Sequence, residues 1–585
     1  MLGYQNKVLR LDLSNETYST EPLNMDWAEK YIGGKGLAIK YMYEELTPGI
    51  DPFSEENKLL LMTGPFTGTP VPCSGKLAIA SKSPATGTIL DCSIGGHSAL
   101  KIKYAGYDAV MFEGKLEKPG YILIKDDKIE FKEAAGLWGK GSHETETILS
   151  EEYGKEASVL SIGPAGENLV TMACINSDYY RQAGRGGIGA VMGSKNIKAI
   201  VIIGTGGVKV NDIENTTKRL SEILREDTTS EENMFIYEDG TTAFLEACND
   251  GGILPKRNFS DTTDENWTKY NGEILLKYRD GKRGCGSCGL GCGNFIKIGD
   301  AVCEGPEYES IAVAGPNAGI EDPQAIVKAN QVADDVGLDT ISAGDVIIYA
   351  MEMTEKGIHD FGIRFGDKEK YIEYLKLMAK KEGVGADLAL GVKELSSKYG
   401  GEDFAMHVKG LEYPQYEPRG SWGMSLAYAV SDRGACHMRA YAPNDEVFEA
   451  SIPPYTPEGK GEMVVNLAVY NAVKFSLILC DFWPLGMDRM AELMTLITGK
   501  EFTEDDMNEV ALRVIHIARA FNQREGFARK DDTMPKRLVN EALKSGPAAG
   551  QKIPQEAFEK MLDDYYAVLG WNNEGIVPDE IISKL

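Results

Sequence analysis

The sequence predicts an α+β protein with three domains: a β-rich N-terminal domain over residues 1–206, a mainly helical domain over 207–408, and a C-terminal helical domain over 409–585. Three observations predict it. The chain has 585 residues, more than one hydrophobic core usually organises. Up to about residue 206, short apolar or alternating runs are punctuated by Gly, Pro, Asn and Asp, the pattern of strands and turns. Beyond Asn211 the apolar spacing lengthens to that of amphipathic helices.

The strand candidates, in order, are "KVLRLDL", "KLLLMTG", "KLAIASK", "DAVMFEGK", "GYILIKDDKIEF" and "NIKAIVIIGTG". The helix candidates are "DIENTTKRLSEILRE", "DPQAIVKANQVADDVG", "GDVIIYAMEMTEKG" and "KEKYIEYLKLMAKKEG". An irregular Gly/Pro stretch follows Tyr413, and then a further helix, "EDDMNEVALRVIHIARAFNQREG". No internal repeat and no low-complexity tract interrupts this order.

Composition narrows the function. Lys and Arg total 62 against 89 Asp and Glu, a net charge of −27, which argues against a nucleic-acid backbone or an anionic membrane surface as partner. The opening "MLGYQNKVLRLDL" reads as a strand and lacks the layout of a secretory signal. No apolar run approaches the roughly 20 residues of a membrane span. A cytoplasmic protein is expected. Sixty-five glycines, about 11% where roughly 7% is usual, suit a chain whose backbone closely wraps a phosphorylated cofactor.

Ten cysteines are too few for a disulfide scaffold, yet three fall together in "KRGCGSCGLGCGNF". Cys285, Cys288 and Cys292 have the spacing C-x2-C-x3-C, with small residues that let amides turn towards the sulfurs. Such a triplet fits one face of a cuboidal iron–sulfur cluster. A structural zinc with a remote fourth ligand is the alternative. The fourth ligand is one of Cys73, Cys92, Cys174, Cys248, Cys303, Cys436 and Cys480, and spacing does not choose among them.

"RQAGRGGIGAVMGSKNIKAI" contains Gly184-x-Gly186-x-x-Gly189. A dinucleotide-binding loop would follow a strand and open a helix, whereas this one follows the polar "NSDYYRQ" and runs into "IKAIVII". The expectation is an anion nest in which glycine amides lie beside Arg181, Arg185, Lys195 and Lys198. His516, on an apolar helical pattern, is expected to be a packing residue.

Together these stretches are familiar. With "TGPFTGTPVPCSGK", "SIGGHSALKIKYAGYDA", "IGPAGENLV", "AGRGGIGAVMGSKNIKAI", "CGSCGLGC", "EGPEYES", "DDVGLDTIS" and "YEPRGSWGMSLAYAVSDRGACHMRAY", the chain resembles the tungsten-dependent aldehyde:ferredoxin oxidoreductase family over essentially its whole length. The resemblance implies tungsten, or molybdenum in its place, held by the dithiolenes of two pterins, with a [4Fe-4S] cluster close by and Mg2+ bridging the pterin phosphates as a further expectation. It implies cluster ligands Cys285, Cys288, Cys292 and Cys480. Pterin contacts map to Lys76, Ser93, Gly95, Arg181, Gln182, Gly184, Asp334, Asp339 and Arg439. The catalytic pair maps to Glu309 and His437. Glutamate in an apolar pocket gains the raised pKa of a useful base, and histidine can donate a hydrogen bond to a developing oxyanion.

The implied activity is oxidation of an aldehyde to its carboxylic acid, with ferredoxin or a similar carrier taking the electrons. An aryl-CoA reductase-type catalytic subunit and a tungstopterin oxidoreductase with a non-aldehyde substrate are the alternatives, and a homodimer or an added iron–sulfur subunit the expected assembly. Lys282 and Arg283, beside the cysteines, are candidates for steering an acidic carrier.

Four departures stand out. The family's second D-x-x-G-L-C reads Phe475 to Cys480 here, so the aspartate is lost and Asp481 is the nearest replacement. An arginine that bridges cluster and pterin is Lys76, without the planar fork. An asparagine is Ser93. The subunit-bridging Glu-x-x-His is Lys328, Ala329, Asn330 and Gln331, which removes support for a metal between subunits.

Overall fold

A computed structural model describes residues 1–228 and 231–585. The first two hundred residues form two six-stranded sheets. In the first, β1 (Lys7–Asp12), β2 (Thr17–Pro22), β3 (Leu59–Met62), β4 (Leu77–Lys82), β5 (Ile89–Ile94) and β6 (Ala109–Glu113) lie in the order β2-β1-β6-β3-β4-β5. In the second, β7 (Gly120–Lys125), β8 (Lys128–Glu133), β9 (Ser158–Ser161), β10 (Ile175–Ser177), β11 (Arg181–Ala183) and β12 (Ile197–Ile203) follow the order β11-β10-β9-β12-β7-β8. Each sheet has one parallel pair, β1 with β6 and β7 with β12, among antiparallel neighbours.

The side-chain period of two explains the layering. Leu59 and Leu61 join Ile122, Leu160 and Ile200 in a core between the sheets. Leu60 and Met62 point to the opposite face, where the helix Gly34–Glu45 and C-terminal residues such as Val473 and Leu477 cover them. A strand buried on both faces reads as an uninterrupted apolar run, which is why "KLLLM" lacks alternation. Every strand candidate forms strands, and "GYILIKDDKIEF" makes the hairpin β7–β8 around Asp126, whose φ is +52°.

The helix candidates form as Ile213–Thr228, Pro323–Val336, Thr340–Glu355, Lys368–Lys380 and Glu504–Arg524. Much of the helical region, from Leu245 to Val577, shares one large core that also takes in Ala165, Val170 and Met172. A three-stranded sheet, Arg279–Arg283, Gly293–Ile298 and Ala301–Glu304, stands within it. Among the described residues no helix is long and apolar enough to cross a membrane.

The glycine loop departs from expectation in two ways. It does lie between a strand and a helix, because β11 precedes it and the seven-residue helix Ile188–Ser194 follows. Nor do its cations form an open anion nest. Arg185 donates to the carbonyls of Ala435 and Glu412, Lys195 to that of Gly114 at 3.0 Å, and Lys198 to that of Ile162 at 2.7 Å while pairing with Glu167. Buried cations are held where carbonyls and carboxylates replace their hydration. Lys195 and Lys198 tie the first two hundred residues together, Arg185 ties them to the C-terminal region, and of the four only Arg181 reaches the cavity described next.

Candidate active site

Fourteen of the fifteen site residues expected from the sequence line one cavity of about 920 Å³. The fifteenth, Arg439, lies behind it, held by Asp91 at 2.5 Å and by Asp432 at 2.8 Å.

The cysteine loop joins the edge strand Arg279–Arg283 to Gly293–Ile298. Its amides turn inward: Leu290 N and Gly291 N donate to Cys288 Sγ at 3.3 and 3.4 Å. Three backbone bonds fix the loop and its surroundings. Gly286 N donates to Gly96 O at 2.8 Å, Cys73 N to Ser287 O at 2.7 Å, and Cys480 N to Cys73 O at 2.8 Å. Cys73 thus joins the cavity wall with the motif cysteines and Cys480. The Cys73 thiol, together with the amides, holds the Cys288 sulfur below an ordinary thiol's pKa. Lys282 and Arg283 are exposed on the adjoining strand, where Arg283 stacks on Phe295 at 4.8 Å.

The approach of the first domain to this loop leaves no room for side chains. A Cβ on Gly75 would lie 2.0 Å from Gly286 O, and one on Gly95 would lie 2.6 Å from Cys285 Sγ. The first contact is backbone against backbone and has no rotamer to relieve it. Gly75→Ala is therefore expected to displace the cysteine loop, lowering bound iron and costing about 1–3 kcal/mol of stability; iron analysis and thermal denaturation would register both.

Elsewhere on the cavity wall, Ser93 and Gly95 come from the end of β5, and Gln182 from β11. Gln182 Nε2 donates to Asp334, whose other oxygen is buried without a partner. Burial pushes the Asp334 carboxyl well above its usual range. Asp339 caps the helix Thr340–Glu355, accepting from Ile341 N at 3.2 Å and Ser342 N at 3.1 Å, and Gly184 lies beside it. Lys76 pairs with Asp481, whose second oxygen is also unpartnered. Arg181 pairs with Glu304.

Glu309 and His437 face each other. Glu309 Oε1 and His437 Nδ1 are 3.4 Å apart with neither hydrogen-bonded, and both side chains keep only 15–16% exposure. Gln415 N donates to Glu309 Oε2 at 2.8 Å. Burial pushes the carboxyl up to about 8, and burial, with Arg185 and Arg433 near, pushes the imidazole down to about 3. At neutral pH a neutral imidazole therefore faces a carboxyl that holds its proton but is poised to exchange it. Glu309 sits on the short helix Tyr308–Ala312, which continues into the π-helical turn Val313–Asn317.

The sequence matches the family models for the N-terminal domain of aldehyde ferredoxin oxidoreductase over residues 8–204 and for its domains 2 and 3 over residues 216–585. The chain belongs to the aldehyde ferredoxin oxidoreductase family. It is 38% identical to the tungsten-containing aldehyde ferredoxin oxidoreductase of Pyrococcus horikoshii, across 100% of this chain and 99% of that protein. It is 31% identical to the WOR-like subunit of the aliphatic sulfonate oxidoreductase of Pyrococcus furiosus, across 100% and 97%. Among solved structures, the active-site complex BamBC of benzoyl coenzyme A reductase with 1,5-dienoyl-CoA aligns with a TM-score of 0.84 at 25% identity, over 100% of this chain and 97% of that one. The family's architecture of paired sheets followed by helices is the one seen here.

Cavity residues that sequence reasoning left unassigned include Glu304, Glu307, Tyr308, Tyr416 and Tyr441. All five lie inside the stretches "EGPEYES" and "YEPRGSWGMSLAYAVSDRGACHMRAY", so those matches were the available signal.

Proposed function

We propose that this chain oxidises an aldehyde to the carboxylic acid with water and passes the electrons through a [4Fe-4S] cluster to ferredoxin. The observation that carries the reading is the Glu309–His437 pair, unpartnered and desolvated, opening into the same cavity as five cysteines.

The residues fit the cofactors that the family implies. Cys285, Cys288, Cys292 and Cys480 would hold the cluster, with the Leu290 and Gly291 amides already aimed at one sulfur. The orphaned oxygens of Asp334 and Asp481 are acceptors for the N–H groups that a pterin edge presents. When bound, the bis-pterin metal supplies the acceptor for the electron pair.

The reaction, aldehyde plus water to carboxylic acid plus two electrons and two protons, asks the protein to move protons in a site from which bulk water is largely excluded. Glu309 as carboxylate takes a proton from the attacking water at Oε1, and His437, a neutral donor through its remaining ring N–H, stabilises the oxygen on which charge develops. Gln415 N holds the second carboxylate oxygen and fixes the orientation of the base.

Anaerobically purified protein is expected to carry about four irons and one tungsten or molybdenum per chain, and to reduce a viologen dye with aldehydes. Zinc as the sole metal, or a loaded enzyme inert to every aldehyde, overturns the reading.

A further inference from the structure

Beside the Glu309–His437 pair, five aromatic rings close a circuit on the cavity wall. Tyr308 stacks on Tyr416 at 4.9 Å, and Tyr416 meets Tyr441 edge-on at 4.9 Å. Tyr441 lies 6.3 Å from Phe448, Phe448 lies 6.2 Å from Phe244, and Phe244 returns to Tyr308 at 6.5 Å. Tyr416 also lies 5.5 Å from the His437 ring. Tyr308 and Tyr416 are buried, whereas Phe244, Tyr441 and Phe448 are partly open. The lining cations, Lys76 and Arg181, stand with the cysteines and are already paired with Asp481 and Glu304. The acids on the aromatic side are Glu309 and Glu307, the latter accepting from Thr241. A substrate tail carrying phosphate or sulfonate therefore meets aromatic faces and carboxylates, and loses its hydration without gaining an ion pair.

Resting on the function proposed above, we infer that Phe244, Tyr441 and Phe448 select uncharged aryl or arylalkyl aldehydes over both small aliphatic and phosphorylated ones. A flat ring enters edge-to-face or offset against these three side chains, the geometries that aromatic pairs prefer. Its aldehyde carbon is then directed at the neighbouring pair.

The test uses the metal-loaded enzyme and viologen reduction, comparing kcat/KM for benzaldehyde and phenylacetaldehyde with acetaldehyde and glyceraldehyde 3-phosphate. Aryl substrates are expected to exceed acetaldehyde by roughly 10–100-fold, with the phosphorylated aldehyde lowest. Phe448→Ala should cut the aryl-to-acetaldehyde ratio roughly tenfold, and the milder Phe448→Leu by less, at unchanged tungsten and iron content. A wild-type ratio near one, a preference for glyceraldehyde 3-phosphate, or a ratio that neither variant shifts overturns the inference while leaving aldehyde oxidation intact. A loaded enzyme that turns over no aldehyde sinks the functional reading itself, and this one with it.

Discussion

Replacing Glu309 by Gln is expected to lower aldehyde oxidation by roughly 10²–10⁴-fold, the usual worth of a positioned proton-transfer group, while leaving tungsten and iron in place. Glutamine keeps the volume and still accepts from Gln415 N, so the cavity should persist. The pH profile sharpens the test. Burial raises the Glu309 carboxyl to about 8, so its basic form is scarce below that pH and accumulates as pH rises through it. In the unmodified enzyme kcat/KM should climb to a plateau just above this region, and the rising limb should vanish in the variant. His437, held down to about 3, stays neutral across the range and adds no limb. Unchanged turnover would remove Glu309 as the base.

The second large effect concerns the fourth thiol. Cys480 and Cys73 are joined by a 2.8 Å backbone bond, and both line the cavity with the three motif cysteines. Cys480→Ser is expected to strip the cluster, taking iron from about four per chain to three or fewer and abolishing ferredoxin reduction. Cys73→Ser should retain all the iron, since its thiol sits as a hydrogen-bonding neighbour to Cys288. Iron analysis with electron paramagnetic resonance of the reduced protein would separate the two. The reverse outcome would make Cys73 the ligand.

The cysteine motif was legible because its chemistry is local: three thiols within eight residues, each with a glycine beside it, need no tertiary information to be noticed. The strands were legible for the same reason, since a period of two belongs to the segment itself. Ser93, Gln182 and Asp334 carry no local signal of that kind, and only resemblance singled them out. The loop cations were misread because sequence cannot say which carbonyls a lysine will find. Lys198 meets Ile162 O and Glu167, partners supplied by the fold rather than by spacing. The aromatic circuit was invisible too, because its five members are scattered between residues 244 and 448 and share no periodicity. Asp481 was legible as the replacement for the lost aspartate, but its pairing with Lys76 was not, because it spans 405 positions of the chain.

The backbone ties at the cysteine loop also say something about time. Cys73, Ser287 and Cys480 are drawn together from three widely separated parts of the chain. During synthesis the segment carrying Cys285, Cys288 and Cys292 emerges nearly two hundred residues before Cys480, so the three motif thiols wait, exposed and incomplete, while that stretch is translated. The cavity acquires its last wall only after Phe482 has left the ribosome.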